Sequence, residues 1–420
     1  MPDTPFVQER LSNGLTVVVE IMPDVQSAAC GFLARTGSRD ERAELAGVSH
    51  FLEHMCFKGT ARRSSEQLNL EFDEIGADNN AQTGKDQTFY YSWARTEDLP
   101  RQLDLLADMM HSTLPADEFE VERKVILEEI ATYKDDLASN AYDFLYENVC
   151  AGSPLAWPVV GYERTIREMT PERMGAYLAR RYRPGNLILV VAGNVEPDEV
   201  METARRLCGS WENVEDMGPP RRRPRLRTGV AVHQWERFHR QAVVLALPSA
   251  PATHPQDESA EALTAILGGA NSRFYWNIVQ KGLATQASVT REEYRDFGLL
   301  IMYGLCEPEN CEKLLEAMRR EASEITDNGP EPKEIQRVKN RRRTLLATES
   351  EAPGYRLGQL ADDTDYRGAP RPAEARLAEV DAVSSETVAD YLREYPITGD
   401  GFLASVGPRR WPVMELGLTE

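Results

Sequence analysis

Long apolar runs are missing from this 420-residue sequence. No stretch approaches the roughly 18 consecutive apolar residues of a membrane-spanning helix, so no membrane segment is expected. The opening residues, Met1-Pro2-Asp3-Thr4-Pro5, offer neither the charged nor the apolar region of a secretion signal. Cysteine is scarce. The six (Cys30, Cys56, Cys150, Cys208, Cys306, Cys311) form no CxxC pair and no dense framework, which suits reduced core thiols in a cytosol. Positive charge is short as well: 48 Lys+Arg stand against 68 Asp+Glu, a formal charge of −20. A nucleic-acid partner needs the opposite balance to displace phosphate counterions. A basic peptide is the more natural partner for such a surface.

Apolar residues make up 41% and aromatics 8%, so the negative charge decorates a folded chain and does not mark a disordered one. At roughly 100–200 residues per domain the length allows two to four domains. One composition break stands near mid-chain, Gly218-Pro219-Pro220-Arg221-Arg222-Arg223-Pro224-Arg225. Prolines restrict φ and like charges repel, so the stretch reads as an extended linker, with a basic docking motif as the lesser alternative.

The two sides of that break repeat each other. Thr170 caps a helix carrying Tyr177-Leu178, followed by an apolar strand ending at Gly193. Ser384 caps a helix carrying Tyr391-Leu392, followed by a strand ending at Gly407. Tyr177 to Tyr391 and Gly193 to Gly407 are both 214 residues apart, and the same offset lays Ala242 to Leu247 over Ala28 to Leu33. The expected organisation is a first half over 1–217, a linker over 218–228 and a homologous second half over 229–420. Ser12-Asn13-Gly14 announces a turn before the strand Leu15 to Glu20. Phe89 to Ala94 reads as a second strand, and helices are expected from about Leu99 to Thr113 and from Ala116 to Tyr133. The fold class is α+β: two homologous α/β sandwich halves, each a largely antiparallel sheet with helices packed on it.

Of only six histidines, two fall in His50-Phe51-Leu52-Glu53-His54. On a helix, positions i and i+4 share a face, so both imidazoles can address one metal ion with Glu53 beside them. Gly47 and Ser49 lead into this helix, and Gly59 serves as a stop signal beyond it. A catalytic zinc takes three protein ligands and keeps one position open. The third donor is sought in Glu122-Arg123-Lys124-Val125-Ile126-Leu127-Glu128-Glu129, where Glu122 and Glu129 lie two turns apart on a stripe that also holds Val125 and Ile126. Carboxylates on an apolar stripe are costly to bury unless paired or metal-bound. Glu128, about 100° around the helix from Glu129, groups instead with Lys124. Glu129 is the chosen ligand.

These motifs resemble the inverzincin metallopeptidases with H-x-x-E-H, specifically the short-chain pitrilysin-like branch that includes mitochondrial processing peptidase and its bacterial relatives. Gly37-Ser38-Arg39-Asp40-Glu41, Gly47 to Thr60, Asn80-Ala81-Gln82-Thr83, Glu122 to Glu129 and Tyr182-Arg183-Pro184-Gly185-Asn186 all carry the likeness. The resemblance implies Zn2+ as cofactor, His50, His54 and Glu129 as its ligands, Glu53 as general base and Glu122 as a supporting acid that orients a ligand. It also implies that Asn80 and Ala81 belong to a strand edge that holds a peptide substrate by β-augmentation. The activity implied is zinc-dependent endopeptidase cleavage of peptides or unfolded segments, in a bacterial cytoplasm.

The second half departs from this pattern. At the 214 offset His50, Glu53 and His54 fall on Thr264, Leu267 and Gly268, so no second metal site is expected. In relatives that act alone or as homodimers, an Arg and a Tyr in this half contact the bound peptide. Here Val279 or a neighbour and Thr285 stand in their places, and two donors to a developing oxyanion are missing. The expectation is a heterodimer in which a paralogue lacking the zinc motif supplies the pair, four homologous halves enclosing a chamber. A homodimer is the lesser form of assembly, and a catalytically silent structural or peptide-binding subunit is the competing function.

Overall fold

Apolar β-branched runs broken by glycine turns build two sheets. The computed structural model describes residues 5–214, 218 and 220–410. The strands are β1 (Phe6–Arg10), β2 (Thr16–Ile21), β3 (Ser27–Ala34), β4 (Asp78–Thr83), β5 (Thr88–Arg95), β6 (Leu187–Gly193), β7 (Gly229–Gln234), β8 (Gln241–Ser249), β9 (Gln286–Glu293), β10 (Gly298–Cys306) and β11 (Phe402–Gly407). Gly14, at φ +96°, makes the turn that joins β1 to β2. The first sheet runs β1-β2-β6-β3-β5-β4 and the second β7-β11-β8-β10-β9. Each contains a single parallel pair, β2 with β6 and β7 with β11, in an otherwise antiparallel ladder. Apart from β1, the two topologies are the same. The α+β class and the internal repeat therefore hold.

The compact units are not the two contiguous halves expected. One comprises 1–131, 157–221 and 347–373; the other comprises 132–156, 222–346 and 374–420. The reason lies in the central strands, which are buried on both faces and so require a covering layer on each side. In the first unit, Val17, Val19, Cys30, Phe32, Leu189 and Val191 pack with Phe51, Leu103 and Leu106 on one face. On the other face Val18, Ala29, Leu33, Ile188 and Val190 meet Leu357, Leu360 and Ala361. Those last three belong to the helix Pro353–Asp362 from late in the chain. Its Arg356 makes a buried ion pair with Glu20 of β2 at 2.9 Å. In the second unit the helix Leu137–Val149, from the first half of the sequence, lies against β8 and β11.

The linker is also less free than its composition implies. Arg221 reaches Asp40 at 2.6 Å and lies in the first unit, while 222–228 has no regular structure. Pro219, residues 215–217 at the first boundary, the N-terminal 1–4 and the final 411–420 lie outside the described residues. All six cysteines are buried and none is in a disulfide. Among the described residues no helix is long and apolar enough to cross a membrane.

Candidate metal centre

Two helices and one edge strand of the first unit assemble the site. The helix Val48–Cys56 buries Val48, Phe51, Leu52 and Met55, and this apolar spacing turns His50 and His54 toward the opposite side. Their ring centroids are 4.8 Å apart. The helix Ala116–Tyr133 buries Phe119, Glu122, Ile126 and Ile130, so the carboxylates at 122 and 129 lie along the margin of its packed stripe. Glu128 faces solvent. The Glu129 Oε2 atom is 3.7 Å from His50 Nε2 and 4.0 Å from His54 Nε2. One ligand atom from each of the three residues lies within 4.8 Å of the others, and no other such group of three occurs among the described residues.

The surroundings favour the metal-binding form of each ligand. Glu122 is 4% exposed. Its Oε2 atom accepts from His54 Nδ1 at 3.0 Å and its Oε1 atom from Lys58 at 2.8 Å. Burial pushes the Glu122 carboxyl up, but the bonds from Lys58 and His54 outweigh it and hold the group below the ordinary value. An ionised carboxylate only accepts, so Nδ1 carries a proton, and the nitrogen through which His54 can address a metal is Nε2. Burial, aided by the neighbouring His54, holds His50 down to about 4, the neutral form. The carboxylates of Glu122 and Glu129 beside the two rings suit a dication. The donor set of two imidazole nitrogens and one carboxylate fits zinc with an open position.

Glu53 points elsewhere. Its Oε2 atom accepts from the Thr83 hydroxyl at 2.5 Å, and burial raises its affinity for a proton. Thr83 closes β4, whose only partner among the described strands is β5. Asn80 and Ala81 therefore lie on the outermost strand of the sheet, beside the general-base candidate. Lys58 and Thr83 have contacts that the sequence reading did not assign. Lys58 could have been found by extending the 50, 54 spacing by one more turn, whereas Thr83 is thirty residues from Glu53 and carried no local signal.

Known proteins resemble this chain in sequence and in fold. A family profile described as "Insulinase (Peptidase family M16)" matches residues 16–162, and one described as "Peptidase M16 inactive domain" matches 168–342. An "uncharacterized zinc protease" of Rickettsia felis is 31% identical over 91% of this chain and 93% of its own length. This chain belongs to peptidase family M16. The uncharacterized zinc protease YmxG of Bacillus subtilis is 29% identical, over 94% of this M16 chain and 97% of that relative. Among solved structures, a protease from Helicobacter pylori has a TM-score of 0.89 at 22% identity, covering 96% of this chain and 99% of that one. That likeness concerns the fold alone.

The M16 fold repeats in the second unit, but the metal site does not. The offset of 214 between β3 and β8 falls to 211 between β5 and β10 and to 209 between β4 and β9, as the pairings Ala28 with Ala94, Ala242 with Leu305, Asp78 with Trp93 and Ala287 with Gly304 require. In chain order the second copy is five residues shorter between its counterparts of β3 and β4, two longer between those of β4 and β5 and three longer between those of β5 and β6. The uniform offset that placed His50, Glu53 and His54 on Thr264, Leu267 and Gly268 is therefore not maintained around this helix. At the other expected positions, Val279 ends a short helical turn, and the Thr285 hydroxyl donates to the Leu305 carbonyl.

Proposed function

We propose that the chain is the zinc-bearing subunit of an endopeptidase that cuts peptides or unfolded segments. The convergence of His50 Nε2, His54 Nε2 and a Glu129 oxygen, with Glu53 held apart by Thr83, supports this most directly. When bound there, zinc supplies a Lewis acid that polarises the scissile carbonyl. His50, His54 and Glu129 hold the ion, and Glu122 keeps His54 in the required tautomer. Glu53 takes a proton from the attacking water and passes it to the leaving amine, a task suited to a carboxylate whose proton affinity burial has raised. The outer edge of β4 holds an extended peptide through its backbone, which tolerates varied side chains.

Val279 or a neighbour, and Thr285, stand where the resemblance leads one to expect a substrate-binding Arg and Tyr. The reading is therefore a heterodimer with a paralogue that supplies them, the four homologous halves enclosing the substrate in a bacterial cytoplasm. The test is peptide cleavage by the purified chain alone and together with such a paralogue. Turnover that appears only with the partner supports the whole reading. Full turnover from the chain alone overturns the heterodimer, and none from either preparation overturns the peptidase.

A further inference from the structure

The two histidines are not held alike. His54 is fixed at its ring by Glu122, 3.0 Å from Nδ1. His50 Nδ1 is buried and has no hydrogen-bond partner among the described residues. Its ring is therefore placed by its backbone, in the first turn of a helix only nine residues long. Whatever fixes that turn fixes the ligand.

A helix start ordinarily satisfies its free N–H groups with a Ser, Thr, Asp or Asn at the N-cap. Here the N-cap is Gly47, at φ +95° and without a side-chain cap. A larger residue has no room: a Cβ on Gly47 would stand 2.8 Å from the Gly161 Cα and the Val160 carbonyl oxygen. The cap comes instead from six residues upstream. Glu41, 5% exposed, accepts from Gly47 N at 2.7 Å through Oε2 and from Ser49 N at 2.8 Å through Oε1. Its carboxyl group spans the residues on either side of Val48; burial raises it to about 8 against the pull of the two amides, and both of its oxygens accept from the free N–H groups of the helix start. Ser49 is held a second time, through its hydroxyl, 2.8 Å from that of Tyr177.

We infer that Glu41 is a positioning residue for zinc: by bridging two backbone amides of the metal helix it sets His50, as Glu122 sets His54 through the ring. This rests on His50, His54 and Glu129 holding the ion. In the full chain, Glu41→Gln keeps the size of the side chain but replaces one accepting oxygen with a donor that faces an N–H. The zinc dissociation constant, measured by competition with a chromophoric chelator, should rise by about ten- to a hundredfold, as when other supporting residues of metal ligands are lost. The visible spectrum of the cobalt(II)-substituted protein, which reports ligand geometry, should change, while the far-ultraviolet circular dichroism of the metal-free protein stays that of wild type. Wild-type affinity and an unchanged cobalt spectrum in the variant would overturn the role of Glu41. Failure of the wild-type chain to bind zinc would overturn the site itself. If the Gln variant does not fold, Glu41→Asp, with its carboxylate drawn back by one methylene, answers the same two measurements. A smaller shift of the same kind supports the assignment and no shift contradicts it.

Discussion

The helices Val48–Cys56 and Asp257–Gly268 each pack against the edge strand that ends their sheet, β4 in one unit and β9 in the other. They resolve buried charge in opposite ways. In the first, two imidazoles and the carboxylates of Glu53, Glu122 and Glu129 leave a place for an added dication. In the second, the cation is part of the sequence. Arg291 of β9, its side chain 1% exposed, pairs with Asp257, with Glu261 at 3.4 Å and with Glu293 at 2.5 Å. One fold thus carries a candidate metal centre in one copy and a closed ion-pair cluster in the other. Chemistry belongs to the side chains grafted on the repeat, not to the repeat.

The contrast breaks most visibly at a ligand. His54→Ala should lower turnover to background and remove zinc from the chain, as read by peptide assay and metal analysis, while the dichroism of the second unit's elements is preserved. The matching change in the other copy, Arg291→Ala, should leave zinc binding intact and destabilise the second unit by about 3–5 kcal/mol, because it strands a cluster of buried carboxylates. Denaturant titration with zinc analysis at each point separates the two outcomes.

Two smaller effects sharpen the comparison. Zinc at a hundred times its dissociation constant should stabilise the unit that binds it by about 2.7 kcal/mol. Hydrogen exchange should then slow in Val48–Cys56 and Ala116–Tyr133 and be unchanged in Asp257–Gly268. The last effect is a pH dependence in the second copy. Burial, against the pull of Arg291, raises Glu293 from its ordinary 4.5 to about 7, and burial raises Glu261 as well. The folded state then holds a proton that the unfolded chain would release. That contribution is complete below the ordinary value and is lost as pH rises through about 7. The stability of Glu293→Gln relative to wild type should therefore grow between pH 5 and pH 8, by roughly 1–2 kcal/mol; a flat difference in melting experiments would contradict it.

Local periodicity made much of the site legible. His50 and His54 needed only the i, i+4 rule, and Glu122 and Glu129 stood out as carboxylates on a helix stripe with apolar neighbours. The repeat was visible because strand and cap patterns recur. What sequence alone missed depends on contacts between distant segments. Thr83 finds Glu53, and Glu41 finds the amides of Gly47 and Ser49, only once the loops have closed. The exchange of covering helices was hidden for a related reason: the apolar faces of Leu137–Val149 and Pro353–Asp362 do not state which sheet they cover. The constant offset failed where the connections between strands differ in length, shorter in one place and longer in the next two, so that the differences cancel at the matching ends of the repeat. Helix Leu99–Met109 ends four residues before the expected Thr113 because the chain beyond it is recruited elsewhere. Ser112 donates to the Met55 and Gly59 carbonyls, and Leu114 takes φ +52°.

The central claim is that one unit holds a working zinc site built from His50, Glu53, His54 and Glu129. Zinc content and peptide turnover, measured together on wild type and Glu53→Gln, test it most directly. The account predicts one zinc per chain in both proteins and a turnover about 10²- to 10⁴-fold lower in the variant, the range that a general acid–base group supplies. A wild-type chain without zinc, or a Glu53→Gln protein that cleaves peptide as fast as wild type in the presence of the same partner, would contradict it.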